Sequence, residues 1–361
     1  MKILQIINSL NTGGAEKLVL ETLPLYYEKG IDMDVLVLNG SEYPFMKELK
    51  RLTCCNIYSL GLKSVYNPFH IFKIIPYFKK YDLVHVHLFP AQYWVVLAKI
   101  ISFSKIKLIF TEHSTSNRRI QNRWLKLIDR FFYKSYHQII CITQEVSEVL
   151  KEHTSLPENK FKIINNGVAI EKFKNATTIT RNSFFKDIEA TNKLLIQVSS
   201  FQPPKDQATL IKSMQYLSKD VRLLLVGDGV LRKDNEDLVA ELQLKNRVLF
   251  LGLRMDVPQL LKSSDISILS SEWEGFGLVA VEGMASGKPF IGSDVPGLSN
   301  VVKGAGILFE PGNAKELAQE IEKLLSDDNY YQSIADACQL RAEQYNIKIM
   351  VEKHIKLYYS L

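Results

Sequence analysis

Short apolar segments alternate with helix-like segments along the whole chain, and the alternation occurs twice. In the first half, strand-like segments cover 2–8, 33–38, 83–88, 107–111 and 138–142, with a weaker one near 56–60. Helical periodicity covers 15–29, 68–79, 91–102, 119–134 and 144–151. Strands that alternate with helices favour a parallel sheet with helices on both faces. The first half is therefore predicted to form a doubly wound α/β domain.

The second half repeats the pattern. Strands are predicted at 194–200, 221–226, 247–251, 265–269, 289–292 and 306–309. Helices are predicted at 206–217, 230–243, 256–262, 278–286, 313–325 and 328–344. A chain of 361 residues is long enough for two such domains. We predict two Rossmann-like α/β domains that face a central cleft, with ligands at the carboxyl ends of the strands.

The linker between the two domains is predicted at 165–168, an Asn-Asn-Gly-Val segment with a polar stretch soon after it. We place the first domain at 1–170 and the second at 171–345. The last segment, 346–361, has helical periodicity and is expected to return to the first domain.

Composition excludes some classes of protein. No run of eighteen apolar residues is present, so the sequence predicts no transmembrane helix, and the first eight residues read as a strand and not as a signal peptide. The four cysteines have no zinc-binding spacing, and reduced thiols in a cytoplasmic protein are expected.

Positive charge is concentrated in the first half. Residues 1–170 hold 22 Lys and Arg against 14 Asp and Glu, and the remainder holds 23 against 25. Anionic lipid, nucleic acid and a phosphorylated substrate are the candidate partners. Nucleic acid ranks last because the sequence has no recognition motif for it.

The segment from Glu274 to Glu282 carries the strongest chemical signal. It follows a short apolar strand, passes through a glycine loop and enters an apolar helix that stops near Gly287. A strand, glycine loop and helix in this order place free N–H groups and a positive helix end at one sheet edge, which suits a phosphate. Glu274 is expected in the loop and Glu282 about two turns into the helix. The alternative is an ordinary helix start with acidic residues near it.

The Glu274–Glu282 segment resembles the signature of the retaining family 4 glycosyltransferases, which have the GT-B fold and are also called glycosyl transferases group 1. Other parts of the chain resemble the same family. These are Asn11-Thr12-Gly13-Gly14-Ala15-Glu16, Thr111-Glu112-His113-Ser114, Asn165-Asn166-Gly167-Val168, Val226-Gly227-Asp228-Gly229, Phe250-Leu251-Gly252, Pro296-Gly297 and the segment 306–313. The resemblance covers nearly the whole chain. It implies that the domain at 1–170 lies on the acceptor side and that the domain at 171–345 binds the nucleotide-sugar donor.

The resemblance implies roles for particular residues. Glu274 would contact the donor sugar and Glu282 the nucleotide ribose, while Gly275, Phe276, Gly277 and Leu278 would donate backbone N–H bonds. Lys205 fits a lysine that reaches the donor diphosphate. Ser200 stands where the family usually has an arginine, so one of two expected cations is missing.

Two further sites follow from the resemblance. His113 would bond the transferred sugar, although a histidine in a loop is often only a structural hydrogen-bonding residue. Gly13 and Gly14 would let the backbone approach the donor phosphate or the acceptor, and a plain strand-to-helix turn is the alternative. Gly227 is expected in a tight turn that lines the same site.

Metal binding is not expected. His85 and His87 lie on one strand face, but no third ligand is evident, and packing at the strand end is the better interpretation. Asp32 and Asp34 form an Asp-x-Asp pair that is better explained as a solvated strand start. We expect no cofactor and a metal-independent site.

A basic and aromatic stretch lies at 99–134, where nine Lys and Arg accompany two acidic residues. Two interpretations stay open: a surface helix with solvated basic residues, or a face that docks on an anionic membrane to reach a lipid-linked acceptor. The residues concerned are Arg118, Arg119, Arg123, Lys126, Arg130 and Lys134, with Trp124, Leu125, Ile128, Phe131 and Phe132 among them.

The expected activity is transfer of a hexosyl unit from a nucleotide-diphosphate sugar, a UDP-sugar by expectation, to a glycan or lipid-linked acceptor in envelope polysaccharide synthesis. The enzyme would be cytoplasmic or peripheral at the inner membrane face. Two alternatives are a nucleotide-sugar-binding or membrane-associated protein without catalysis, which the serine at 200 allows, and a sugar-nucleotide epimerase of similar shape.

Overall fold

The chain folds around two parallel sheets. The computed structural model describes residues 1–62, 64–114, 125–185, 189 and 191–361. These residues form two units, one comprising Met1–Gly167 and Ile347–Leu361 and the other comprising Val168–Asn346.

Strands are short and regular in both units. Those within the described residues are β1 (Lys2–Ile7), β2 (Asp32–Val37), β3 (Ile57–Ser59), β4 (Leu83–His87), β5 (Lys107–Glu112), β6 (Gln138–Cys141), β7 (Phe161–Ile163), β8 (Lys193–Val198), β9 (Val221–Val226), β10 (Val248–Gly252), β11 (Ile266–Leu269), β12 (Phe290–Ser293) and β13 (Ile307–Phe309).

Helices fill the connections between the strands. In the same part of the chain they are α1 (Gly14–Glu28), α2 (Pro44–Leu52), α3 (His70–Ile74), α4 (Ala91–Ile101), α5 (Leu125–Lys134), α6 (Gln144–Thr154), α7 (Ile170–Lys174), α8 (Gln207–Ser213), α9 (Arg232–Glu241), α10 (Val257–Ser263), α11 (Leu278–Ala285), α12 (Ser299–Val302), α13 (Ala314–Ser326), α14 (Asp328–Glu343) and α15 (Ile347–Ser360).

Both sheets are wound in two directions from a central strand. The first has the order β3-β2-β1-β4-β5-β6-β7 and the second β10-β9-β8-β11-β12-β13, and the strand pairs are parallel. The order reverses between β1 and β4 and again between β8 and β11. In sheets of this kind, ligands bind outside the carboxyl ends of the strands at the reversal point. The loops after β1, β4, β8 and β11 therefore lie where sheets of this kind bind ligands.

The helix near 68–79 differs from the sequence prediction. It is an α-helix only to Ile74 and continues as a 3₁₀-helix over Ile75–Lys79. Pro76 lies at the start of that second part and lacks the N–H that an α-helix needs, so the α pattern ends there. Strand β7 and helices α2, α7 and α12 were not predicted, and each is short.

The last helix packs within the first unit. Tyr26 of α1 lies against Tyr358 of α15, with ring centroids 6.1 Å apart, and its hydroxyl bonds His354 Nδ1 at 2.7 Å. Gly167 has no room for a side chain, because a Cβ there would lie 2.5 Å from the Cα of Ile347. These contacts attach the C-terminal helix to the α1 face of the first sheet.

Candidate active site

A buried carboxylate lies in the loop between β11 and α11 of the second unit. Glu274 is only 7% exposed, and its Oε1 accepts hydrogen bonds from Lys205 Nζ at 2.5 Å and from Ser271 Oγ at 2.8 Å. The lysine reaches it from the loop after β8, the neighbouring strand. Two of the sequence-predicted residues, 69 positions apart, are thus in direct contact.

Glycines shape the backbone of that loop. Gly277 has a φ of +79° and forms the N-cap of α11, and no side chain caps this helix start. The first N–H groups of a helix have no acceptor within the helix, so they point outward with the positive end of its dipole. Gly297 has a φ of +83°, and a Cβ there would lie 2.4 Å from the carbonyl oxygen of Glu274. Only glycine at 297 lets the two backbones approach this closely.

The other residues of the motif lie at different depths. Glu282 is 2% exposed and begins the second turn of α11. It lies just over one turn into the helix and not two as predicted, because the four residues from Leu278 to Glu282 make only about one α-helical turn. The ring of Phe276 is buried and packs edge-on against Tyr345 at 5.3 Å. Only the backbone of Phe276 is therefore suited to the predicted hydrogen-bonding role.

Polar side chains fix the loop after β8. Gln197 Nε2 donates to the carbonyl of Lys205 and to Ser199 Oγ, each at 3.1 Å, while Gln207 Nε2 donates to the carbonyl of Ser200 at 3.0 Å. The side chain of Ser200 is exposed. Gly227 lies against the backbone of this loop and has a φ of +133°. A Cβ at this position would lie 2.0 Å from the carbonyl oxygen of Ser199, so the close approach requires glycine.

A further cation lies at the same edge but is engaged by acids. Arg232, at the start of α9, donates hydrogen bonds to Glu236 at 2.8 Å and to Asp228 at 3.2 Å. These carboxylates raise the pKa of Arg232 by more than burial lowers it. This arginine was not predicted as a phosphate ligand from the sequence. Its charge is balanced by two carboxylates.

The predicted His113 lies in a buried cluster of the first unit. It directly follows β5, and its Nε2 lies 3.2 Å from Nδ1 of His87, which ends β4. His85, two residues earlier, bonds Thr111 Oγ1 at 2.7 Å and the hydroxyl of Tyr358 at 2.8 Å. The interpretation of these strand-end histidines as packing residues fits the bonds they make.

Burial keeps these imidazoles neutral. It lowers the pKa of His113 to about 4 and that of His354 to about 3. It also lowers the pKa values of His85 and His87 well below the ordinary range, and the neighbouring histidines lower them further. The cluster lines a small cavity of about 20 Å³ together with Gln5, Thr22, Asn166 and aliphatic side chains.

The remaining predicted residues occupy ordinary structural positions. Gly13 is the N-cap of α1 and Gly14 its first residue, again without a side-chain cap. The prediction of a solvated strand start holds for Asp32, which is exposed, but is wrong for Asp34. Asp34 is buried because it accepts hydrogen bonds from Tyr81 at 2.6 Å and from the backbone N–H of Asn56 at 2.8 Å. Across the described ranges, no group of three or more His, Cys, Asp or Glu side chains is arranged to hold a metal ion.

Two family models match successive parts of the chain. The model described as Glycosyltransferase Family 4 matches residues 12–172, and the model described as Glycosyl transferases group 1 matches residues 178–341. The chain belongs to the family 4, group 1 glycosyltransferases. The fold, the enzyme class and the family expected from the sequence are thereby confirmed.

Relatives of this glycosyltransferase are distant but extensive. The N-acetyl-alpha-D-glucosaminyl L-malate synthase of Bacillus anthracis is 29% identical over 78% of this chain and 75% of its own. The UDP-Gal:alpha-D-GlcNAc-diphosphoundecaprenol alpha-1,3-galactosyltransferase of Escherichia coli is 26% identical over 86% and 82%. Among solved structures, Anabaena Alr3699/HepE in complex with UDP and glucose covers all of both chains at 23% identity with a TM-score of 0.86.

Several residues of the glycosyltransferase could not be found from its sequence. Tyr26, His354 and Tyr358 join the histidine cluster across more than 270 residues of chain, and no local pattern marks them. Part of the predicted basic and aromatic stretch, namely Arg118, Arg119, Arg123 and Trp124, lies outside the described residues. In the part of the chain that the structure describes, no helix is both long and apolar enough to cross a bilayer.

We expect the glycosyltransferase to lose stability as the pH falls below about 6.5, the ordinary histidine pKa. Because folding lowers the pKa values of His85, His87, His113 and His354, the unfolded chain takes up protons first. The free energy of unfolding then decreases by up to about 1.4 kcal/mol per pH unit for each histidine. Urea unfolding between pH 7.5 and 4.5 measures this slope.

The substitution His354→Asn distinguishes the effect of the histidines from that of carboxylates that titrate in the same pH range. It removes one buried imidazole, so the slope of the unfolding free energy against pH should decrease by up to about 1.4 kcal/mol per pH unit, the contribution of one proton. An unchanged slope would show that burial of this histidine does not govern the acid sensitivity.

Proposed function

We propose that this glycosyltransferase moves a hexosyl unit from a UDP-sugar to a glycan or lipid-linked acceptor, with retention of the anomeric configuration. The observation that carries the proposal is the contact of Lys205 with Glu274 beside the uncapped start of α11. A cation, a carboxylate and outward N–H groups within one loop cluster suit a diphosphate with a sugar attached.

The relatives support the choice of substrates. The solved complex of HepE holds UDP and glucose, and the relative from Escherichia coli is named for a UDP-galactose donor and a diphosphoundecaprenol-linked acceptor. A second relative, from Campylobacter jejuni, is also named for a diphospho-undecaprenol-linked acceptor and matches 94% of both chains. These names favour a lipid-linked acceptor and a role in envelope polysaccharide synthesis.

In the proposed mechanism, the residues of the second unit stabilise the leaving group. As the bond between the anomeric carbon and the diphosphate oxygen breaks, negative charge develops on the UDP. Lys205 and the N–H groups of 275–278 stabilise that charge. The acceptor oxygen bonds to the anomeric carbon on the same face, and its proton passes to a diphosphate oxygen. No metal ion is needed for this step.

The carboxylates hold the carbohydrate parts. Glu274 accepts hydrogen bonds from hydroxyls of the transferred sugar, and Glu282 accepts from the ribose diol. His113 bonds a substrate hydroxyl in the first unit, and Gly13 with Gly14 opens the start of α1 to the substrate. Gly227 keeps the edge beside Ser199 free of side chains. Because Ser200 stands where the family usually has an arginine, Lys205 is the cation that binds the diphosphate.

The function is tested by mass spectrometry of the reaction products, with nuclear magnetic resonance to identify the linkage and any isomerised donor. The purified enzyme is incubated with UDP-glucose, UDP-galactose or their N-acetylated forms, and with a short-chain lipid diphosphate that carries one N-acetylglucosamine. We expect one donor to release UDP and extend the acceptor with an α-linkage. Binding without release would support the non-catalytic alternative, and an isomerised donor without extension would support the epimerase.

Glu274→Gln should lower turnover about 10²- to 10³-fold while the protein stays folded, because an amide of the same size loses the charge that binds the sugar and Lys205. Turnover and melting temperature are measured together, with Glu322→Gln on the exposed face of α13 as the matched control. A fall in melting temperature large enough to explain the lost activity would assign Glu274 a structural role.

Lys205→Ala should weaken UDP binding about 10- to 100-fold, since a charge-assisted hydrogen bond contributes about 1.5–3 kcal/mol. Isothermal titration calorimetry with UDP gives the dissociation constant. Lys233→Ala, which removes an exposed lysine on α9, is the control. Equal affinities of the Lys205 variant and the wild type would refute the phosphate assignment.

We also propose that α4 and α5 rest on an anionic membrane. On α5, Leu127 is 76% and Phe131 54% exposed, and the exposed cations Lys126, Arg130 and Lys134 flank them. Phe103, just after α4, is 91% exposed. Exposed apolar side chains beside cations are typical of proteins that lie on a bilayer surface.

The double substitution Leu127→Ser and Phe131→Ser should reduce sedimentation with phosphatidylglycerol vesicles by about tenfold or more, because each buried side chain contributes about 1.5–3 kcal/mol. Added salt should weaken binding of the wild type. Tyr216→Ser, at an exposed aromatic of the second unit, is the control. Equal sedimentation of the double variant and the wild type would exclude these helices as the membrane face.

A further inference from the structure

Among the described residues, the side chain of His113 makes its one hydrogen bond with His87. The bond joins Nδ1 of His87 to Nε2 of His113 at 3.2 Å, and the ring centroids lie 5.5 Å apart. His85 lies against the other side of His87, with centroids 4.3 Å apart, and is itself bonded at both nitrogens. His87 is therefore held in place while it contacts the predicted site histidine.

The hydrogen bond couples the tautomers of the two imidazoles. Both are neutral near pH 7 because burial lowers their pKa values, and each neutral ring has one N–H and one lone pair. If His87 carries its proton on Nδ1, His113 accepts at Nε2 and must carry its own proton on Nδ1. If His87 carries its proton on Nε2, His113 donates from Nε2 and leaves a lone pair at Nδ1.

The surroundings of His87 distinguish the two arrangements. Its Nε2 is buried and has no hydrogen-bond partner in the part of the chain that the structure describes. A proton on Nε2 would make this a buried N–H without an acceptor, and such groups are rarer in proteins than acceptors that lack a donor. The proton of His87 therefore belongs on Nδ1.

We propose that His87 is a positioning residue that fixes His113 as a hydrogen-bond donor at Nδ1. The inference rests on the proposed function, in which His113 bonds a substrate hydroxyl, and it defines the direction of that bond. Nδ1 of His113 makes no bond to a described residue, and the side chain is partly exposed, so this N–H is available to the substrate.

The assignment has a chemical consequence. The only lone pair of His113 accepts from His87, and its other nitrogen already carries a proton. His113 therefore donates to an oxygen of the substrate and does not remove the proton of the acceptor hydroxyl. That proton has to go elsewhere, which agrees with its transfer to the leaving diphosphate.

The tautomers are measured by nuclear magnetic resonance on the full chain labelled with ¹⁵N-histidine and free of substrate. The chain has seven histidines, so the long-range ¹H–¹⁵N correlations of each ring can be assigned by substitution. We expect the proton of His113 on Nδ1 at pH 7.5. A proton on Nε2 of His113 would overturn the proposal whether or not the enzyme transfers a sugar.

Two polar variants test the part played by His87. His87→Asn places an amide near the position of Nδ1 and should keep the tautomer of His113, whereas His87→Gln places it near Nε2 and should leave a mixture. His70→Asn replaces a buried histidine that bonds the carbonyl of Ser64, outside the cluster, and is the matched control. An unchanged His113 tautomer in His87→Gln would show that His87 does not fix it.

Kinetics of the same variants report on the reaction. We expect kcat to fall about tenfold in His87→Gln, the effect of one hydrogen bond, and to stay closer to wild type in His87→Asn. The dissociation constant for UDP should stay the same in both, since Lys205 and the start of α11 are unaltered. Equal kcat values in all three proteins would overturn the positioning role even if the tautomer is as expected.

Discussion

The contact of Lys205 with Glu274 is the interaction on which the proposed donor site depends. Each residue lies in a loop at the reversal point of the second sheet, after β8 and after β11, and each is largely removed from water. An unpaired carboxylate so deeply buried would be costly, so the lysine stabilises the empty loop as well as offering a positive charge to a ligand. A diphosphate can compete for that charge without disturbing the rest of the site.

The glycines keep this arrangement close to the backbone. Gly297 lets one loop lie against the carbonyl of Glu274, and Gly227 does the same for the loop after β8. Gly277 begins α11 in a conformation that few other residues adopt. In the proposed mechanism, main-chain N–H groups at fixed positions donate to the ligand, and a transition state with growing negative charge requires such preorganised donors.

Much of the fold could be predicted because buried parallel strands leave continuous apolar runs in the sequence. Strand β7 was not predicted because two of its three residues are exposed at the sheet edge. The depth of Glu282 was misjudged although the start of α11 was predicted correctly, because four residues make only about one helical turn. Glu274 was identified by the local pattern and Lys205 by the resemblance to the family, and the structure brings the two into contact. His85, His87 and His113 were named from the sequence, but their clustering with His354 and Tyr26 could not be predicted, since Tyr26 and His354 meet only through packing of α15 on α1.

The most direct measurement is a crystal structure of the full chain with a UDP-sugar bound. The account predicts the diphosphate within hydrogen-bond distance of Lys205 Nζ and of the N–H groups that begin α11, with the sugar hydroxyls on Glu274. A nucleotide bound elsewhere, while the Lys205 and Glu274 contact stays closed and this loop stays empty, would contradict it.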